Sequence, residues 1–433
     1  MRKVFDRKNI LRKYVEVEAA LMKALEHENV APKGCYKKLL KAWNKIEPKD
    51  IDTLEKTTGH DIASFTILLA KASGDCGKYV HLGFTSYDVV DTAWALLIRD
   101  ALAIVKDKLV QLIRELMKLS IKYKDTIMVG RTHGQHALPI TFGFKLANYV
   151  YEFSRSLERI LEAEKRIIKC KCSGAVGTMA AWSNHGLNIE SIVCSTLNLK
   201  PHEITTQVAP RDGFAELVCD LAILASQLDR LALEFRELSR PEISEITLIS
   251  GKIGSSTMPH KRNPVTAERV SGLAKVARSL VVTALENIPL MHERDLTNSS
   301  SERILVPHIF LIVDQMLLDT LKIISELHVN AEEMVKNLGL LRGVIASECL
   351  MIKLVLKADI PRHEAYELLS QLASKALSEE RNYLDVVLES KVSSLLSRKD
   401  IEECFNYSNY LGEYERLIFR ALNYAEKILK EVT

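Results

Sequence analysis

Two stretches of the 433-residue chain bring together side chains that can move a proton or hold an anion. The segment GSSTMPHKRNP (Gly254–Pro264) sets a glycine and paired serines, Ser255 and Ser256, ahead of Lys261 and Asn263. Glycine and serine make the stretch mobile, and Lys261 is a compact point charge that can hold a carboxylate. Pro264 suits the first turn of a following helix, and Glu268 lies about one turn further on, near enough to orient an acid or a base. A loop that closes on an anionic substrate and carries a serine with it fits this composition; a plain surface loop is the alternative. The segment GRTHGQHALPITFG (Gly130–Gly143) puts Arg131, Thr132, His133, Gln135 and His136 between glycines and a proline, and it reads as a loop. Two histidines there point to a site. Zinc is a rival reading, but no nearby Cys or Asp completes a ligand set.

Two further stretches suit anions. In HLGFTSYDVVDT (His81–Thr92), Thr85, Ser86 and Asp88 can cap the helix that follows. The free N–H groups of such a helix start also make a carboxylate site. In MHERDLTNSSSERI (Met291–Ile304), Arg294 and Arg303 flank three serines, among them Ser299. Arginine forks with hydroxyls form a phosphate clamp, and a solvated helix start is the alternative. Polar clusters also occur at His60–Asp61 and across Thr205–Asp212.

Long helices must position these loops. No Gly or Pro occurs from Phe84 to Val129, Phe144 to Ser173, Phe214 to Arg240, or His308 to Leu338, spans far longer than an average helix. Leu217, Leu221, Leu224, Leu228, Leu231, Phe235 and Leu238 repeat in steps of four and three, as do Ile98, Leu102, Val105, Leu109, Leu112, Leu116 and Leu119. Ala222, Ile223 and Ala225 add apolar surface off the stripe, which calls for neighbours on more than one side and for association through the helices. Alternating strand patterns are nearly absent, so the chain reads as all-α.

Composition narrows the function classes. A net charge of +3 leaves no broad basic footprint for nucleic acid or membrane. No apolar run approaches the roughly 18 residues of a membrane helix, and the opening MRKVFDRKN has no signal-like apolar region. Eight cysteines without a CxxC pair read as reduced, mostly buried thiols in a cytoplasmic protein, with disulfides as the thermophile alternative.

The serine-loop segment resembles the signature of the fumarase/aspartase superfamily. TGHDIASF, TSYDVVDT, GRTHGQHALPITFG, GAVGT (Gly174–Thr178), TQVAPRD (Thr206–Asp212) and HERDLTNSSSER follow in the order found in the adenylosuccinate lyase branch. The likeness spans essentially the whole chain, and the segments at His60 and His292 choose the branch. Argininosuccinate lyases and fumarases are less similar at Thr85–Thr92 and Thr132–Pro139. Carboxymuconate cycloisomerases share the serine loop but not HERD…SSSER.

That resemblance implies β-elimination of fumarate from adenylosuccinate, giving AMP, and from SAICAR, giving AICAR, without metal or organic cofactor. It implies Ser255 as general base and His133 as general acid, oriented by Glu268, with Lys261 and Asn263 on a succinyl carboxylate. Thr85, Ser86, Thr132 and Gln207 match the other carboxylate contacts. His60, Arg269, Arg294, Ser299 and Arg303 match nucleotide-side positions, and His81 a third site histidine. It further implies a homotetramer whose sites each draw on three chains. Three helical domains are expected: 1–91, a long-helix bundle over 92–338 with its signature loop at 247–264, and 339–433. Two departures stand out. An Arg-Tyr pair usual near the N-terminus is missing, so either an upstream start or other phosphate ligands are expected, and Asn298 replaces a histidine. A cycloisomerase and a purely structural member are the rival classes; Ser255, His133, Lys261 and Glu268 together argue against the latter.

Overall fold

The computed structural model describes residues 1–248, 258 and 260–432. Each of the four breaker-free spans is mostly helical, as its periodicity requires. Helices run over Ser86–Lys122, Phe142–Ile167, Asp212–Leu238 and Thr297–Ser325. The span that begins at His308 does not continue to Leu338 as one helix. Its helix ends at Ser325, Leu327–Val329 pairs antiparallel with Ile246–Leu248, and Ala331–Gly339 starts a new helix. Asn330 holds that break, its side-chain amide donating to the Ser244 carbonyl at 2.7 Å.

The leucine stripes are core. Leu221, Leu224 and Leu228 are fully buried, as are Ile98, Leu102, Val105, Leu109, Leu112 and Leu116. Each such side chain contributes roughly 1.5–3 kcal/mol relative to exposure. Off the stripe, Ala222 and Ala225 are buried while Ile223 is exposed. The helix Thr297–Ser325 is long and apolar enough to cross a membrane by length and composition, although Asp314 and Asp319 interrupt its sequence; about half of its most apolar stretch is buried. Both aspartates are neutralised, Asp314 by Lys108 and Asp319 by Arg269.

The chain forms two compact units. The first takes residues 1–109, 156–226 and 272–317. In it the N-terminal helix Arg7–His27 packs on the helices Cys35–Ala42 and Gly186–Thr196. The second takes residues 110–155, 227–271 and 318–433. It carries a hairpin, Ile127–Thr132 with Gln135–Thr141, and a separate apolar core reaching from Ala346 to Cys404 around fully buried Leu350, Leu354 and Tyr383.

The cysteines depart from expectation. Cys35 is joined to Cys76, and Cys349 to Cys404. Cys170, Cys172, Cys194 and Cys219 are free, the first three buried. The pairing was not legible because partners 41 and 55 residues apart meet only through tertiary packing.

Candidate active site

In the first unit, the start of the Ser86 helix does more than cap itself. The backbone N–H of Thr85 donates to Asp88 Oδ2 at 2.7 Å, half of a capping box. The other carboxylate oxygen of buried Asp88 accepts from Lys171 Nζ at 2.7 Å and from the Ser173 N–H at 2.9 Å. A single carboxylate therefore ties the helix start to the strand leading into GAVGT. Upstream, Gly83 is at φ +86°, and a Cβ there would lie 2.2 Å from the Trp182 indole nitrogen, so only glycine fits. His81, at φ +62°, is held by Glu18, which accepts from its backbone N–H at 2.9 Å and meets its Nδ1 at 2.6 Å. Burial pulls the imidazolium down, but the Glu18 bond outweighs it, and the His81 pKa is raised.

Four more candidates gather on this frame. His60 caps the helix Asp61–Ala72, its Nδ1 accepting from the Ala63 N–H. That role leaves the ring hydrogen on Nε2, which lies 3.4 Å from Ser86 Oγ. Arg303 donates to Asp61, the residue beside His60, at 2.7 Å. Arg294 donates to Gln207 Oε1 at 2.9 Å, and its guanidinium lies 3.8 Å from the centre of the Tyr87 ring. The Tyr87 hydroxyl in turn is hydrogen-bonded to Ser299. Helix starts at Ser86 and Thr297 and the TQVAPRD loop thus place His60, Ser86, Gln207, Arg294, Ser299 and Arg303 on one connected network.

Beneath it lies a buried ion cluster. Asp91 accepts from the Ala209 N–H at 2.7 Å and from Arg211 Nη2 at 2.7 and 2.8 Å, which fixes the loop carrying Gln207. Arg211 Nε also faces Glu302 at 3.3 Å. Burial pushes the Glu302 carboxyl up to about 7, against the pull of Arg211.

In the second unit, the stretch read as a loop is a hairpin. A bulge between Val129 and Arg131 keeps it irregular, which hid the strand alternation. Thr132 pairs with Gln135, leaving His133 and Gly134 as a two-residue turn at φ +53° and +72°. Positive φ at both central positions is what a type I′ turn requires. His133, carried at the tip, is exposed and has no side-chain partner among the described residues. Arg131 is anchored on fully buried Glu245 through two bonds, of 3.0 and 2.7 Å. The hairpin base is thereby fixed while its tip stays open.

Pro264 immediately precedes the helix Val265–Glu286, and its carbonyl accepts from the Glu268 N–H at 3.0 Å. Glu268 is in the first turn and exposed; no hydrogen bond joins it to His133 among the described residues. Lys261 is exposed, and its N–H closes a turn on the Met258 carbonyl at 3.0 Å. Asn263 is half-buried, and Thr132 is exposed. Arg269 is engaged by Asp319 at 2.5 and 2.7 Å. Ser255 lies outside the described residues. The described residues hold no group of three or more His, Cys, Asp or Glu arranged for a metal ion.

Glu18, Asp61, Tyr87 and Asp91 were missed as supports. Tyr87 and Asp91 stand inside TSYDVVDT, but Glu18 acts on His81 from 63 residues away, a relation no local pattern carries.

Residues 1–278 match the family described as lyase, and residues 343–421 match the adenylosuccinate lyase C-terminus. The chain is 42% identical over 435 aligned residues to the adenylosuccinate lyase of Pyrococcus horikoshii, covering 99% of this chain and 96% of that protein. It is 41% identical to that of Methanothermobacter thermautotrophicus, with 99% and 97% covered. The chain belongs to the adenylosuccinate lyase family. Its activity is that of a carbon–nitrogen lyase acting on a small molecule. Solved structures agree in fold beyond the adenylosuccinate lyase family. A fumarate lyase from Mesorhizobium sp. BNC1 matches at TM-score 0.90 and 28% identity over 98% of this chain and 97% of that one. The 3-carboxy-cis,cis-muconate lactonizing enzyme from Pseudomonas putida matches at 0.90 and 29%, over 99% and 97%. The all-α architecture is thus common to several chemistries, and it is the full-length identity to adenylosuccinate lyases that places this chain in their family.

Proposed function

We propose that the chain cleaves adenylosuccinate to AMP and fumarate, and SAICAR to AICAR and fumarate. The observation that carries this is 42% identity to an adenylosuccinate lyase across nearly the whole of both chains. Supporting it, the first unit offers a cationic and hydroxyl network suited to a phosphorylated, carboxylated substrate: Arg294 and Arg303 for the phosphate, with Ser299 and His60 beside them, and Ser86, Thr85 and Gln207 for carboxylate oxygens.

In the proposed reaction Ser255 removes the proton from the succinyl Cβ. The electron pair left behind is delocalised into the adjacent carboxylate, held by Lys261 and Asn263. The C–N bond then breaks, and His133 delivers a proton to the departing nitrogen. Serine is a poor base in water, so it must act as its alkoxide, in a site that excludes water and offers Lys261 and backbone N–H groups to that charge. It becomes the neutral hydroxyl on taking the proton. Glu268 orients His133. Thr132 completes the carboxylate contacts. Arg269 serves the nucleotide end once released from Asp319, and His81, braced by Glu18, lines the site. Neither metal nor organic cofactor is needed for these steps.

We further propose a homotetramer with sites shared among three chains, and a cytoplasmic enzyme. Val276, Val282 (64% exposed), Leu285 (49% exposed), Leu311 and Leu318 present apolar surface on long helices, the kind of surface that association covers. His133 and Glu268, unpaired with each other within one chain, can then meet across a subunit boundary. Two disulfides are compatible with an intracellular location in a hyperthermophile. The division into 1–91, 92–338 and 339–433 is kept as the domain proposal, supported at its C-terminal end by the core from Ala346 to Cys404.

The purified chain is to be given adenylosuccinate, SAICAR and 3-carboxymuconate separately. Fumarate release from the first two is expected. Turnover of 3-carboxymuconate alone would transfer the chain to the cycloisomerase chemistry.

A further inference from the structure

The cluster beneath the phosphate-side network is unbalanced in charge. Asp91, Arg211 and Glu302 have side chains no more than 2% exposed, so two carboxyls share one guanidinium. Asp91 takes the better share, with two bonds to Arg211 Nη2 and one from the Ala209 N–H. The 3.3 Å approach of Arg211 Nε to Glu302 makes no hydrogen bond, and both Nε and Nη1 are unpartnered. Among the described residues, Glu302 Oε1 accepts only from Asn298 Nδ2, at 3.1 Å, one helical turn earlier. Glu302 Oε2 and Asn298 Oδ1 are both buried and both without a hydrogen-bond partner among the described residues. Two unpartnered acceptors on the same pair of side chains are complementary once one of them carries a hydrogen. A protonated Glu302 would supply it, with Oε2 turned to donate to Asn298 Oδ1 beside the existing bond from Asn298 Nδ2 to Oε1. It also leaves Asp91 and Arg211 as a neutral buried pair, avoiding the cost of a second buried anion.

We infer that Glu302 is a positioning residue that holds a proton, and that binding of the nucleotide phosphate beside it is coupled to proton uptake at Glu302. This rests on the reading that Ser299 and Arg303 hold the phosphate. Those residues are three before and one after Glu302 on the helix Thr297–Ser325. An arriving dianion disfavours a neighbouring carboxylate, so a fraction of sites in which Glu302 is ionised takes one proton from the buffer as the phosphate binds. Arg211 and Arg294 oppose this, while Asp91, and Tyr87 were it ionised, act with the phosphate; all four face Glu302. The carboxyl, pushed up to about 7 by burial, is partly ionised in the physiological range, so the coupling is visible there. The acid–amide pair fixes Asn298 and the first turn that presents Ser299, so the proton positions the phosphate contacts without touching substrate.

The test is calorimetric titration of the intact enzyme with AMP at pH 7.5, in two buffers of different ionisation enthalpy. AMP is a dianion there, since the second phosphate ionisation lies near 6. Wild type is expected to take up a few tenths of a proton per site, and Glu302→Gln, which keeps an amide partner for Asn298, none. No uptake by wild type, or equal uptake by Glu302→Gln, overturns the inference and assigns any proton to His60, His81 or another group. Titration of Arg303→Ala separates the two readings. If it binds AMP about tenfold or more weakly, the phosphate site stands and the proton result judges Glu302 alone. If it binds AMP as wild type does, the phosphate reading has failed, and the coupling to it is overturned with it.

Discussion

His60 Nε2 lies 3.4 Å from Ser86 Oγ, joining the starts of two helices that begin 25 residues apart. Asp61, next to His60, is also the anchor of Arg303. Three segments separated widely in sequence therefore present an imidazole, a hydroxyl and a guanidinium together. Replacing Arg303 by alanine is expected to raise the KM for adenylosuccinate about ten- to a hundredfold, the loss of one charged contact of roughly 1.5–3 kcal/mol, with a smaller effect on kcat. Steady-state kinetics check this. An unchanged KM would move the phosphate elsewhere.

Glu302 gives a stability prediction that is independent of substrate. Its carboxyl is raised to about 7 in the folded chain, from an ordinary value near 4.5. The folded state therefore binds the extra proton between those values, and its stability falls as pH rises through that window. Above it, a destabilisation on the order of 3 kcal/mol is fully present. Glu302→Gln should be more stable than wild type at pH 8 and lose that advantage by pH 5. Denaturant midpoints at the two pH values measure it, and parallel behaviour of both proteins would contradict it.

The disulfides can be counted. Thiol titration of the unfolded, unreduced chain should find four reactive thiols among the eight cysteines. Opening the Cys35–Cys76 or Cys349–Cys404 loop, of separation 41 and 55, should cost up to about 4 kcal/mol each on chain-entropy grounds. Cys349→Ser should lower the thermal midpoint measurably. Eight reactive thiols would show that the bonds do not form.

The leucine stripes at Leu217–Leu238 and Ile98–Leu116 told where the helices lie, because a helix buried on one face must repeat near every 3.6 residues. The motifs told which residues gather, since capping and anion binding are local properties of a helix start. What stayed hidden depends on distant packing. Arg131–Glu245 and Asp91–Arg211 are joined across more than a hundred residues. The His133 turn was masked by its bulge, and Glu302 carries no signal in the sequence that it is short of a partner. Ser255 lies outside the described residues, so its role rests on resemblance.

The proposed sharing of sites among chains predicts complementation. Mixed, dissociated and reassembled Ser255→Ala and His133→Gln chains should regain part of the lost activity, because some hybrid sites carry both intact groups. No recovery in hybrids shown to contain both chains would place the two residues of each site on one chain.

The most direct measurement is turnover of adenylosuccinate by wild type, Ser255→Ala and His133→Gln, with AMP and fumarate quantified together and substrate binding measured separately. Wild type should release the two products in equal amounts. Each variant should still bind substrate while kcat falls by about 10²–10⁴ or more. Failure of the folded wild-type enzyme to release fumarate, or near-normal turnover in either variant, would contradict the assignment.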